Sequence, residues 1–166
     1  MSVNLATGEN SDGDIFSNFQ NLPGSLHNDV LTGDAGNNVL DGNEGHDVLT
    51  GNSGADPFRF DSAHQGSQSG EEPPADTVTD FSSIEGDIFD LSWIDADTTV
   101  DGNQAFHFIG GGNFSNTAGE LRVVANATPQ DHVQIEDDID GDGIGDLIVL
   151  VQGDVNHDWT ADDFIM

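Results

Sequence analysis

The chain has 166 residues, 34% of them apolar, and sets 32 acidic residues against two basic ones, Arg59 and Arg122, for a formal net charge of -30. That balance excludes nucleic acid and anionic membrane as partners, because no basic patch exists to displace counterions from phosphate, and like charge at this density opposes compaction unless cations offset it. Cysteine is absent, so neither disulfides nor thiolate metal sites can staple the fold, and no stretch approaches membrane-spanning length.

Residues 1–23 are polar, with scattered apolar positions at Val3, Leu5, Ile15, Phe16, Phe19 and Leu22, and read as an irregular lead-in turn. Residues 24–60 carry a phrase with a period of nine, in four copies running Gly24 to Leu31, Gly33 to Leu40, Gly42 to Leu49 and Gly51 to Phe58. Each copy opens on glycine, places a carboxylate or amide at its sixth position (Asp29, Asn38, Asp47, Asp56) and a large apolar residue at its eighth (Leu31, Leu40, Leu49, Phe58). A short fixed period of this kind builds a stacked coil, since one repeat cannot bury its apolar face alone. Residues 61–75 lack periodicity, are rich in turn formers and read as a loop. Strand-like runs follow at 77–81, 88–91, 104–109, 120–124, 132–135 and 147–151, separated by Gly, Asn and Asp clusters. Residues 76–166 are thus expected to form a β-rich cap, with helix signal confined to a turn near Ser92 to Asp95 and no separate second domain.

The repeat carries its own chemistry. The Gly-rich turns leave main-chain carbonyls free to point inward, at Gly24 and Leu26, Gly33 and Ala35, Gly42 and Glu44, and Gly51 and Ser53, and the sixth residue adds a side-chain oxygen. Hard oxygen ligands of this kind suit calcium better than zinc or copper. Because the chain turns twice per coil, loops two copies apart share a side, so Asp29 is expected to face Asp47, and Asn38 to face Asp56. Asn38 brings no charge, which predicts a weaker second site.

These four copies resemble the repeats-in-toxin (RTX) family, whose nonapeptide is Gly-Gly-x-Gly-x-Asp-x-(large apolar)-x. Ser25, Asp34, Asn43 and Asn52 replace its second glycine, His27 replaces the fourth in the first copy, and Pro57 follows the last Asp. Later segments, among them Gly54 to Phe60, Asp76 to Phe81, Gly86 to Ser92, Gly102 to Gly110 and Phe114 to Arg122, look like the carboxy-terminal region of serralysin-type secreted metalloproteases. The resemblance implies an all-β fold, a parallel β-roll of calcium-binding repeats with a C-terminal β-sandwich-like cap, a module also attached to secreted lipases, epimerases and adhesins. It implies that Asp76, Asp80, Asp87 and Asp90 help to bind further calcium at the end of the roll; in a chain this acidic, solvated turns are the alternative.

Asp138, Asp140, Asp142 and Asp146 stand at positions one, three, five and nine of an EF-type loop with Gly143 at six, but Val149 occupies the twelfth position where a bidentate Glu belongs. An ion site and a surface turn both remain open there. Asp154 to Trp159 imitates the same loop less well. The last residues, Asp163, Phe164, Ile165 and Met166, look like the uncleaved export signal of this family, read by a type I (ABC transporter) secretion apparatus. With no basic and apolar leader at the front, the resemblance implies a secreted, extracellular protein whose folding is triggered by external calcium.

Enzyme motifs are missing: the six histidines form no His-Glu-x-x-His, and there is no Gly-x-Ser-x-Gly elbow or phosphate-cradling glycine loop. Phe106, Phe108, Phe114, Trp93 and Trp159 read as cap core or partly buried surface rather than as a stacking platform. The expected function is therefore a non-catalytic calcium-binding module for folding and secretion, either part of a larger exoenzyme with a catalytic domain or encoded alone. The alternative is a module binding polysaccharide or a cell surface, with acidic polysaccharide disfavoured by charge unless calcium bridges it.

Overall fold

Two copies of the nine-residue phrase make one coil, and the strands come out only three residues long. In the computed structural model, which describes residues 1–15, 17–61, 75–125 and 132–166, the first elements are β1 (Ser2–Asn4), β2 (Glu9–Asn10) and β3 (Asn21–Pro23). The repeats then supply β4 (Val30–Thr32), β5 (Val39–Asp41), β6 (Val48–Thr50) and β7 (Pro57–Arg59). In each repeat strand only the middle residue is fully buried, because successive side chains point to opposite faces. Consecutive strands alternate between two facing sheets. Leu22, Leu40 and Phe58 are in parallel register in one, Val3, Leu31 and Leu49 in the other.

The columns continue past the repeats. Val78 of β8 (Asp76–Phe81) extends the second and Phe89 of β9 (Ile88–Asp90) the first, so that Leu31, Leu40, Leu49, Phe58, Val78 and Phe89 are all fully buried. Each such side chain contributes roughly 1.5–3 kcal/mol of transfer energy. The roll thus grows by stacking one apolar rung per strand on each sheet.

The cap comprises β10 (His107–Phe108), β11 (Glu120–Ala125), β12 (Val133–Asp138) and β13 (Ile148–Gly153). Strands β11 to β13 form an antiparallel meander, and β13 then lies parallel to β8, with Val151 opposite Val78. The cap therefore continues one sheet of the roll, giving nine strands in the order β10-β11-β12-β13-β8-β6-β4-β1-β2. The facing sheet has five, β14-β9-β7-β5-β3, where β14 (Phe164–Ile165) is the carboxy-terminal strand. Roll and cap share one apolar core.

Two local features differ from the sequence expectation. The turn expected near Ser92 is present, but the run 104–109 yields only a two-residue strand, and a 3₁₀ helix forms at Ala161–Asp163. The latter is started by a capping box in which Thr160 and Asp163 exchange side-chain to main-chain hydrogen bonds. Residues 62–74 of the expected loop, and Phe16, lie outside the described residues.

Candidate metal centre

The sixth-position residues line up into two ladders, one along each edge of the roll. On the first, the N–H of Asp29 donates to Oδ1 of Asp47 (2.8 Å), and the N–H of Asp47 donates to Oδ1 of Asp76 (2.8 Å). On the second, the N–H of Asn38 donates to Oδ1 of Asp56 (2.7 Å), and the N–H of Asp56 donates to Oδ1 of Asp87 (2.9 Å). All six side chains are buried. The structure thus brings Asp29, Asp47 and Asp76 together, and Asn38, Asp56 and Asp87.

Close loop stacking makes this alignment possible. Gly45 has φ +140° and Gly54 φ +127°; a Cβ there would lie 2.7 Å from the carbonyl carbon of His27 and 2.8 Å from that of Gly36, in the loops two copies back. The first-position glycines make room in a second way. A Cβ on Gly42 would overlap Oδ2 of Asp47, and one on Gly51 would sit 2.5 Å from Oδ2 of Asp56. Gly24 and Gly33 are closed similarly by Oδ2 of Asp29 and Oδ1 of Asn38 and by the carbonyls of Gly42 and Gly51.

The electrostatics of the ladders are incomplete as protein alone. Oδ2 of Asp47 and Oδ2 of Asp56 are buried without a hydrogen-bond partner, a costly state for a charged group. Burial pushes Asp47, Asp56 and Asp87 up to about 6, and Asp76 up to about 7. At Asp29 burial acts in the same direction, but the Met1 ammonium and the N–H and hydroxyl of Ser25 outweigh it and lower its pKa. Stacked carboxylates with orphaned oxygens, in cradles that only glycine leaves open, fit a hard divalent cation such as Ca²⁺.

The third-position residues Leu26, Ala35, Glu44 and Ser53 lie exposed on the loops. Asp80 stands beside the second ladder and accepts from the N–H groups of Gly51 (2.9 Å) and Asn52 (2.8 Å). Asp90 stands apart from both ladders, accepting from Arg59 Nε (3.1 Å) and from the Ser92 N–H and hydroxyl. In the cap, Asp138, Asp140 and Asp146 bring carboxylate oxygens within 4.8 Å of one another, whereas Asp142 is outside that group. Asp138 also accepts from the N–H groups of Gly141 and Gly143, and Asp142 from Ile144, as in a self-satisfied turn. Of the carboxy-terminal four, Asp163 caps the 3₁₀ helix and pairs with His157, and Phe164 is buried opposite Phe89.

Two contributors were not singled out from sequence. Asn43 (φ 61°) and Asn52 (φ 67°), which stand where the nonapeptide has its second glycine, take the left-handed conformation that glycine adopts most readily. Their side-chain amides donate to the carbonyls of Gly24 (3.1 Å) and Gly33 (2.8 Å), tying loops two copies apart. The available signal was the Gly-Asn dipeptide, since Asn tolerates this region better than other non-glycine residues.

Residues 23–56 match the RTX calcium-binding nonapeptide repeat family, in four copies. Across the chain, the fold is similar to the solution structure of the AlgE6R3 subunit from the Azotobacter vinelandii mannuronan C5-epimerase, at 24% identity and a TM-score of 0.50, covering 87% of this chain and 76% of that one. The AlgE6R2 subunit of the same enzyme aligns at 17% identity and a TM-score of 0.40, covering 89% and 88%. No curated protein matches the chain. The chain thus carries RTX-type repeats on a β-roll, without a specific tie to serralysin-type carboxy-terminal regions.

Proposed function

We propose that this chain is a non-catalytic, calcium-binding β-roll module that serves a secreted protein as its polysaccharide- or cell-surface-binding unit. The observation that carries the calcium reading is the pair of buried, unpartnered oxygens on Asp47 and Asp56, each within a ladder of stacked carboxyl groups. Bound calcium would supply the positive charge those oxygens lack. Asp29, Asp47 and Asp76 would hold it on one edge, Asn38, Asp56, Asp87 and the neighbouring Asp80 on the other, with loop carbonyls completing the shell. The polysaccharide reading draws support from the likeness of fold to a subunit of an enzyme named for a polysaccharide substrate. The non-catalytic part of the reading is drawn from the sequence, which carries no His-Glu-x-x-His, no Gly-x-Ser-x-Gly and no phosphate-cradling glycine loop.

Calorimetric titration of the whole chain tests the calcium reading. At least two ions should bind with dissociation constants of roughly 0.1–1 mM, accompanied by a gain of β signal in circular dichroism, with little response to magnesium. A chain fully β-rich in excess chelator, with no heat on adding calcium, would overturn it.

A second reading is favoured by the carboxy-terminal residues Asp163 to Met166, which fit an export signal for a type I secretion apparatus. Phe164 is buried against the core, so such a signal would be legible only before the chain folds. Low internal calcium would keep the acidic chain open for export, and external calcium would then favour the folded form. Appending residues 150–166 to an unrelated unfolded passenger and assaying its export by a reconstituted ABC transporter tests this; no transport would exclude the role.

A further inference from the structure

The loop between β12 and β13 gathers a second set of carboxyl groups, none of which belongs to the ladders. One oxygen each of Asp138, Asp140 and Asp146 lie within 4.8 Å of one another, with Asp138 fully buried and Asp140 exposed. Like charges this close repel unless something of opposite sign sits among them. The protein supplies no such group: its two arginines, the only Lys or Arg side chains, are engaged elsewhere, Arg59 with Asp90 and Arg122 with Glu136.

Asp137 stands behind this group and is itself fully buried. Its Oδ1 accepts from the N–H of Leu147 (2.9 Å) and its main-chain carbonyl from the N–H of Asp146 (2.8 Å), so its carboxyl group is held at the neck of the same loop. Its Oδ2 has no hydrogen-bond partner, and the charged groups that act on it are Asp146 and Asp138. A buried carboxylate oxygen without a donor is costly, and here it adds a fourth acid to the cluster.

The loop's own hydrogen bonds leave oxygens to spare. Asp140 accepts from the N–H of Asp142 through Oδ1 (3.0 Å) and Asp146 from the N–H of Ile139 through Oδ2 (2.9 Å); the other oxygen of each has no protein donor among the described residues. Gly141 (φ +78°) and Gly143 (φ +84°) let the chain curl against the turn at 116–118, where a Cβ on them would lie 2.9 Å from the Ala118 nitrogen and 2.8 Å from Asn116 Nδ2. Asn116 Nδ2 donates to the carbonyl of Asp142 (2.9 Å), which holds the loop from outside.

We propose that this loop is a further calcium site, with Asp138, Asp140 and Asp146 as side-chain ligands and Asp137 lining its buried side. Carboxylates without histidine or cysteine among them select a hard cation, and three or four of them suit calcium, whereas magnesium is held through one or two. Val149, where a bidentate glutamate would close an EF-type loop, is fully buried in the core, so Asp137 and Asp146 supply the charge that it lacks. An ion here pins the β12–β13 hairpin, whose second strand pairs with β8, and so ties the cap to the roll. The site uses no residue of the ladders and stands apart from the reading of them as calcium sites.

Equilibrium dialysis of the whole chain at saturating calcium counts the ions. Asp140→Asn keeps the oxygen that accepts from Asp142 but loses the charge, and Asp101→Asn removes an exposed charge elsewhere in the cap. Asp140→Asn should bind one ion fewer than the parent, or hold that ion about tenfold more weakly, with circular dichroism unchanged, while Asp101→Asn matches the parent. Sub-stoichiometric manganese, a stand-in at oxygen sites, should broaden the amide resonances of Gly141, Gly143 and Ile144 in the calcium-folded parent, which reads the site without any substitution. An unchanged count and affinity in Asp140→Asn, or no broadening at those amides, would overturn the site while leaving the calcium reading of the ladders standing. A parent that binds no calcium would overturn both, and magnesium held at this loop as tightly as calcium would overturn the choice of ion.

Discussion

The main-chain N–H of Asp29 donates to Oδ1 of Asp47 across 2.8 Å, although the residues are eighteen apart in sequence. One carboxylate oxygen of Asp47 thus organises the neighbouring loop, while the other is left for a cation. Asp47→Asn separates the two roles, because the amide oxygen can still accept from Asp29 but the site loses its charge. The variant should lose calcium-dependent stabilisation while being no less stable than the parent in excess chelator. Thermal unfolding with and without calcium checks this; a large loss of stability in chelator would mean that the carboxylate is needed by the fold itself.

The converse change is available at Asn38, the uncharged rung of the second ladder. Its Oδ1 accepts from the N–H of Asp34 (2.7 Å), and its N–H donates to Asp56. Asn38→Asp should tighten the calcium site that includes Asp56 by about tenfold and destabilise the cation-free protein, since it adds a buried charge. Calorimetry on the single variant, and on its combination with Asp47→Asn, assigns the change to one ladder.

The pH dependence of the cation-free protein has a definite sign. Asp47, Asp56 and Asp87 are raised to about 6 and Asp76 to about 7 by burial. Their folded-state pKa values lie above the unfolded one of about 3.9. Their stabilisation is therefore complete below about pH 4 and is lost as pH rises through 6 to 7. Asp90, which burial would raise, is lowered overall by its hydrogen bonds from Ser92 and Arg59, and acts oppositely by favouring the fold above about pH 4. Melting in chelator should thus be highest in mildly acidic buffer and fall towards neutrality. Calcium should invert the upper limb, with its affinity falling as protons compete below pH 7. A melting temperature in chelator that rises steadily from pH 5 to 8 would contradict the burial of these groups as unpaired acids.

The roll was legible because Leu31, Leu40, Leu49 and Phe58 repeat at one spacing, and a constant period converts directly into stacked rungs. Beyond Phe58 that conversion fails. Asp76 and Asp87 join the ladders 29 and 31 residues after their partners Asp47 and Asp56 instead of eighteen, because an aperiodic segment intervenes. Their positions could be suggested by motif but not counted. Pairing of β13 with β8 is likewise set by a long-range parallel contact that no local pattern encodes. Trp93 departs from the expected cap packing for a different reason. A single residue in a turn carries no periodicity, so its exposed position beside Arg59 is visible only in the fold.

Gly45 and Gly54 test the loop stacking directly. Both require positive φ and approach the backbone of the loop two copies back, so no side-chain movement can relieve an added methyl group. Alanine at either position should cost at least about 2 kcal/mol in the calcium-loaded protein. Gly112→Ala, where the nearest atom to a new Cβ is 3.5 Å away, should stay within about 0.5 kcal/mol of the parent. Equal melting temperatures for all three would mean that the loops are looser than the ladders require.

Phe164 closes the other end of the structure. It pairs in register with Phe89 and lies with ring centroids 6.0 Å from Phe89, 5.3 Å from Phe108 and 6.2 Å from Trp159. The Leu91 N–H donates to the carbonyl of Ile165 (2.9 Å), fastening the strand to the sheet. Phe164→Ala should therefore destabilise the folded module by roughly 3–5 kcal/mol and expose the carboxy terminus to carboxypeptidase, whereas Ile165→Ala, at a half-exposed position, should do neither to the same extent. Melting and timed digestion in calcium measure both effects. Equal resistance of the two variants would show that β14 is not held by its aromatic anchor, and would remove the physical reason for treating an export signal at this end as hidden once the chain has folded.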